Sequence, residues 1–132
     1  RDNAIDLGKS AARFKDLHLS GNANVGAVIA TGNVTAFSDR NLKENIEPIL
    51  NAVEKVQQLN GVTYNRNDLE DTTKRYAGII AQDLQAVLPE AVEGDSILRV
   101  DYNATIGLLI EAIKELKTEV DDLKTKLKEV TK

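Results

Sequence analysis

The sequence predicts an α+β fold. A short β-rich stem occupies residues 1–37, a small mixed helix and strand domain follows from residue 38, and a long coiled-coil helix covers 104–131. Three observations carry this reading. Before Ser38 the chain is rich in Gly, Asn and small apolar residues that alternate with polar ones, as half-buried strands do. After Pro48 the apolar residues fall at helical spacing. From Ile106 to the C-terminus they alternate spacings of three and four without a break.

Taken in order, Ala4-Ile5-Asp6-Leu7-Gly8, Phe14-Lys15-Asp16-Leu17-His18-Leu19 and Val25-Gly26-Ala27-Val28-Ile29-Ala30 read as strands. Ser20-Gly21-Asn22 and Thr31-Gly32-Asn33 supply turns between them. Such strands bury too little to offset the entropy of ordering them, so they need a larger protein or copies of themselves. Pro48 suits the first turn of a helix that runs through Ile49, Val53, Val56 and Leu59 and stops at Asn60-Gly61. Val62-Thr63-Tyr64 and Tyr76-Ala77-Gly78-Ile79-Ile80 bracket a polar loop, Asn65 to Lys74. Ala81–Leu88 is a short amphipathic helix ended by Pro89. Ile97–Tyr102 is a strand after the Gly94-Asp95 turn.

The last helix carries a heptad seam, with Ile106, Ile113, Val120 and Leu127 at a, and Leu109, Leu116, Leu123 and Val130 at d. Glu119 at g faces Lys124 at the following e, an attractive pair in a parallel assembly. Ile110 at e and Ala112 at g widen the apolar stripe, which favours three or more strands over two. The competing reading is an amphipathic helix packed on its own domain. The charge of the polar faces favours self-association.

Composition excludes several functions. There are 132 residues with two Phe, three Tyr and no Trp, which suits helix-on-helix packing better than a large pocket. With no Cys and one His, His18, neither a disulfide framework nor a common zinc site fits, and no metal or cofactor is expected. A net charge of −4 argues against nucleic acid as the main partner. No apolar run approaches the ~20 residues of a membrane span, so no membrane insertion is expected. Arg1-Asp2-Asn3 is not a natural start and suggests the C-terminal piece of a longer chain.

One stretch carries candidate chemistry, Ser38-Asp39-Arg40-Asn41-Leu42-Lys43-Glu44-Asn45-Ile46. A serine hydroxyl becomes a nucleophile when a base takes its proton. A lysine is that base when burial or a nearby cation holds it neutral. Ser-Asp ahead of an apolar-periodic stretch is also a common helix cap, and Lys43 also fits an ordinary surface lysine. Asp39, Glu44 and Glu47 suit the start of a helix better than an acid/base pair. Asp68, Glu70 and Asp71 form an acidic loop without the Gly and closing Glu of a calcium loop, and read as solvated surface.

Four blocks in order decide between these readings. They are Ser38-Asp39…Lys43-Glu44-Asn45-Ile46, Leu59-Asn60-Gly61-Val62-Thr63-Tyr64, Gly78-Ile79-Ile80-Ala81-Gln82-Asp83-Leu84-Gln85…Leu88-Pro89-Glu90, and Val100-Asp101-Tyr102-Asn103 leading into Leu109–Leu116. Over residues 38–127 the chain resembles the C-terminal intramolecular chaperone domain of bacteriophage tail fibres, tailspikes and endosialidases, the self-cleaving peptidase S74 family. Residues 1–37 more loosely resemble the end of a fibre stem.

The resemblance implies a homotrimer whose chaperone domain (38–132) folds the upstream fibre segment of the same chain, then releases itself. It implies Ser38 as nucleophile, Lys43 as base and Phe37–Ser38 as the scissile bond, with Asp39, Arg40, Asn41 and Glu44 as supporting candidates. Arg40, Arg75 and Arg99 are candidates by type for stabilising the oxyanion. One departure stands out: the family usually has Arg three residues after the serine, where this chain has Asn41, with Arg40 one position earlier. The resemblance further implies synthesis in a host bacterial cytoplasm, with the fibre part ending in the virion. A non-cleaving trimerisation module kept as a structural or receptor-binding tip is the alternative. A homologous domain of a eukaryotic membrane-bound transcription factor is disfavoured by residues 1–37.

Overall fold

The computed structural model describes residues 6–132. The chain divides into two compact units, Arg1–Leu42 and Lys43–Lys132.

In the described part of the first unit the only pairing is a two-residue bridge. Lys9 N–H donates to Ala12 O at 3.1 Å, and Ala12 N–H to Lys9 O at 2.9 Å. The expected strands at Phe14–Leu19 and Val25–Ala30 are absent, and Ala4 and Ile5 of the first expected strand lie outside the described residues. The physical reason is that a strand satisfies its backbone on a neighbour, and among the described residues no segment pairs with these. Phe14, Leu17, Val25, Val28 and Ile29 are accordingly exposed.

The second unit is built from α1 (Ala52–Gln57), β1 (Val62–Asn65), β2 (Arg75–Gly78), α2 (Ala81–Val87), β3 (Val92–Glu93), β4 (Arg99–Val100) and α3 (Tyr102–Val130). Its core is Ala52, Leu84, Val87, Leu88, Ala91, Leu108 and Ala112, with Ile49, Val53, Val56, Leu59, Ile79, Val92, Val100 and Ala104 packed around it. Leu84 from α2 and Leu108 from α3 are the large, fully buried side chains. The alanines at 52, 91 and 112 let α1 and the turn after α2 lie close against α3.

The expected helix from Pro48 begins four residues later. Asn51 adopts the left-handed region at φ 54 and turns the chain just before Ala52, so Pro48 lies outside α1. The first two N–H groups of α1 donate to the Glu115 carboxylate of α3, Ala52 to Oε1 at 2.8 Å and Val53 to Oε2 at 2.9 Å. A tertiary acceptor thus replaces the local cap. At the other end Gln58 N–H donates to Lys55 O and Leu59 N–H to Val56 O, closing the helix before Asn60-Gly61.

β1 and β2 pair antiparallel with Tyr64 opposite Tyr76. The two rings stack at 5.9 Å, and the Lys74 ammonium lies 5.1 Å from the Tyr76 ring centre. Gly78 leaves room for the Tyr102 side chain: a Cβ there would sit 3.1 Å from its hydroxyl. α2 runs as expected. Pro89 opens a 3-10 turn, Pro89–Ala91, so the chain turns on into β3. β3 pairs β4, Val92 opposite Val100, across a turn in which Gly94 takes φ 103. α3 starts at Tyr102, two residues before its expected start, because Asp101 caps it by accepting from Asn103 N–H at 2.9 Å.

Replacing Leu84 by Ala empties the centre of this small core. The unit should lose about 2–5 kcal/mol, read as a lowered urea midpoint at fixed protein concentration.

Candidate functional site

An acidic side chain, Asp39, caps the turn that follows Ser38. Asp39 Oδ1 accepts from Asn41 N–H at 2.7 Å, and Asp39 O accepts from Leu42 N–H at 3.2 Å. Arg40–Leu42 is thereby wound into a single 3-10 turn. Asp39 acts here as a local cap, a short polar side chain competing for nearby backbone donors. Phe37 is 96% exposed, and Ser38, Arg40, Asn41, Lys43 and Glu44 are exposed as well. Phe37, Ser38, Asp39, Arg40 and Asn41 belong to the first unit, whereas Lys43 and Glu44 open the second. Five residues of covalent chain separate Ser38 from Lys43.

The other arginine candidates are engaged on the hairpins. Arg75 donates to Asn65 Oδ1 at 2.8 Å and to Thr63 Oγ1. Arg99 lies 4.0 Å from Glu93 across β3–β4. The acidic loop is closed on itself. Arg66 pairs with Asp68, donating to Oδ1 at 2.8 Å. Asp71 accepts from Thr73 N–H at 2.9 Å and Thr73 Oγ1–H at 2.6 Å. The Arg66 hydrogen bond holds the Asp68 carboxyl below its usual range, and the Thr73 hydroxyl does the same to Asp71. Among the described residues no group of three or more His, Cys, Asp and Glu could hold a metal ion, and no helix is long and apolar enough to cross a membrane. His18 is exposed.

The second candidate feature is α3, whose sides have different fates. Ala104, Leu108, Ala112 and Glu115 form the stripe that faces the domain. Leu108 is 1% exposed and Ala112 4%. The eight seam residues Ile106, Leu109, Ile113, Leu116, Val120, Leu123, Leu127 and Val130 are all exposed, Ile113 to 65%. The helix packs on its own domain along one stripe, as the competing reading has it, and leaves the heptad seam facing solvent on another. Intrahelical pairs, Lys114 to Glu111 at 2.8 Å and Lys117 to Asp121, occupy the polar remainder.

Glu115 is the residue that sequence reasoning missed. It is half-buried and bonded to a segment more than sixty positions away. Its available signal was position, three residues after Ala112 and seven after Leu108 on the inward stripe. The N–H groups of Val53 and Ala52 hold its carboxyl below the ordinary glutamate range.

Residues 38–93 match the chaperone-of-endosialidase family, peptidase S74. The chain is also similar to long tail fibre protein Gp37 of several phages. It is 42% identical to that of Enterobacteria phage K3 over 137 residues, covering 96% of this chain and 11% of the relative. For Enterobacteria phage T2 the identity is 42% over 123 residues, 87% of this chain and 9% of the relative. For Salmonella phage S16 it is 30% over 142 residues, 97% of this chain and 18% of the relative. The chain thus spans less than a fifth of the length of these curated relatives. The K3 alignment leaves out few residues of the chain, so the similarity extends into residues 1–37 as well as the S74 stretch.

A depressed carboxyl stabilises the fold at pH values above its unfolded value and loses that contribution as pH falls through its folded one. For Glu115 the loss lies below about 4.5, the ordinary value. Thermal melts of wild type and Glu115→Gln should differ at pH 6, and the gap should shrink as pH drops under 4. A gap constant from pH 6 to pH 3 would contradict the hydrogen-bonded carboxylate.

Proposed function

We propose that this chain is the C-terminal assembly module of a phage tail fibre: a homotrimeric intramolecular chaperone that folds the upstream fibre segment and then cuts itself free between Phe37 and Ser38. The observation that carries the reading is the unpartnered seam on α3. Eight apolar residues in heptad register face solvent on a helix whose neighbouring face is already the domain core. The family match and the similarity to tail fibre proteins support the same role.

The physical task fits the parts. β-rich fibres depend on non-local and interchain contacts and fold slowly. A C-terminal helix that finds two partners quickly raises the effective concentration of the strands upstream. The exposed apolar residues of 6–37 are the client, gaining in a trimer the backbone partners a single chain lacks. On this reading the chain is made in the host cytoplasm, the fibre part joins the virion, and no cofactor takes part.

The cut would be an N-to-O acyl shift. Ser38 Oγ attacks the Phe37 carbonyl carbon while neutral Lys43 takes the hydroxyl proton. The tetrahedral oxyanion then collapses, the C–N bond breaks, and the lysine's proton passes to the departing Ser38 amine. Water hydrolyses the resulting Phe37–Ser38 ester, leaving a carboxylate on Phe37 and a free Ser38 N-terminus. Proximity contributes roughly 7–11 kcal/mol in well-aligned intramolecular cases. Lys43 is exposed in the single chain, and desolvation is what favours a neutral lysine. Trimer formation would supply that burial, so cutting follows assembly. Arg40, next to Asn41 in the 3-10 turn, takes the part of the arginine usual in the family.

A second reading has one observation in its favour. Asn41 stands where the family usually has Arg, which suits a non-cleaving trimerisation module kept as the fibre tip. Intact mass of the purified protein over time separates the two. Ser38→Ala and Lys43→Ala should each give a stable full-length trimer, while wild type gains a new N-terminus at Ser38; two bands from either variant on a denaturing gel would show that the dyad is wrong.

On α3, Leu108 and Ala112 belong to the domain core and Glu115 holds α1. Leu123 and Leu127 are free of that role, each 64% exposed. The double variant Leu123→Asp/Leu127→Asp should leave the domain's near-native melting intact and shift the mass in sedimentation from trimer to monomer. An unchanged trimer would remove the seam from the account.

A further inference from the structure

The path from Lys43 into the domain is unusually constrained. Asn45 at φ 51 and Asn51 at φ 54 both occupy the left-handed region, which asparagine tolerates better than other non-glycine residues. Between them Pro48 fixes its own φ, and Ile49 packs against the core. The segment 43–51 therefore has few ways to run. Its far end is held by Glu115, which accepts from Ala52 N–H at 2.8 Å and Val53 N–H at 2.9 Å with separate oxygens. Hydrogen bonds to an ionised acceptor are about twice as strong as neutral ones. Two parallel bonds fix direction as well as distance. Glu115 also sits directly before Leu116 of the seam.

We propose that Glu115 is a positioning residue for the cleavage reaction: by gripping the first two N–H groups of α1 it fixes the 43–51 segment, and with it Lys43, on the helix whose outer face assembles. The inference rests on the self-cleavage reading above and adds a route by which α3 reaches the base. Glu115 touches no reacting atom. It acts through the α1 backbone, and its reach matters. Gln keeps the length and one acceptor oxygen, whereas Asp falls a methylene short.

The test uses the full chain as wild type, Ser38→Ala, E115Q, E115D and E115A. Cleavage is followed by intact mass, assembly by sedimentation, and the amides of residues 43–53 by hydrogen exchange in the Ser38→Ala background. E115A should assemble yet cleave on the order of tenfold to a hundredfold more slowly, the scale of a misplaced reacting group. E115Q should recover part of the rate and E115D less. Exchange should quicken through the 44–51 amides, beyond Ala52 and Val53 themselves. An assembled E115A that cleaves at the wild-type rate overturns the proposal, and so does an exchange change confined to Ala52 and Val53. Where E115A fails to assemble, E115Q decides in the same way: assembled and slowed supports the role, assembled and unslowed removes it. A wild-type chain that stays whole would sink the self-cleavage reading. The exchange arm would then still show whether Glu115 fixes the Lys43 segment.

Discussion

The structure of residues 43–132 depends on one helix being used on two sides. Leu108 and Ala112 close the domain core from below, and Glu115 holds the start of α1. Without α3 the remaining elements are a six-residue helix, a seven-residue helix and two short hairpins. Such pieces do not hold together in water by themselves. A second face of the same helix leaves eight apolar side chains in solvent, a heavy cost for a monomer and a ready surface for copies of itself.

On the proposed function, this double use ties local folding to assembly. The inward stripe is set by tertiary contact and the outward seam by heptad spacing, and the two faces share a rigid backbone. A carboxylate is a fitting link between them. Glu115 supplies acceptors for N–H groups that would otherwise lack a partner at a helix start. It does so from the turn where the seam passes from Ile113 to Leu116. The constrained segment from Asn45 to Asn51 then carries that placement towards Lys43.

Much of this was legible in the sequence. The heptad spacing gave α3 to within two residues of its start, the helix over residues 81–87 follows from its amphipathic period, and the strand at Val62–Tyr64 from its β-branched and aromatic residues. What was not legible has physical causes. Pro48 looked like a helix start, but the position of α1 is decided by Glu115, a partner more than sixty residues away. β3 is two residues long, too short for any periodicity to register. The alternation in residues 14–30 marks strands that need partner backbones, and among the described residues none pairs with them. The Ser38 stretch was legible as a motif only. Its local structure is an Asp39-capped turn, which a helix cap or a cleavage site can equally carry.

Sedimentation equilibrium of the full chain tests the central claim most directly. With one chain at 14.4 kDa and Ser38→Ala keeping it whole, a seam that assembles three copies predicts a single species of three times that mass, independent of concentration over the micromolar range. A monomeric mass over the same range would contradict the account, because it would leave the seam of α3 exposed in solution.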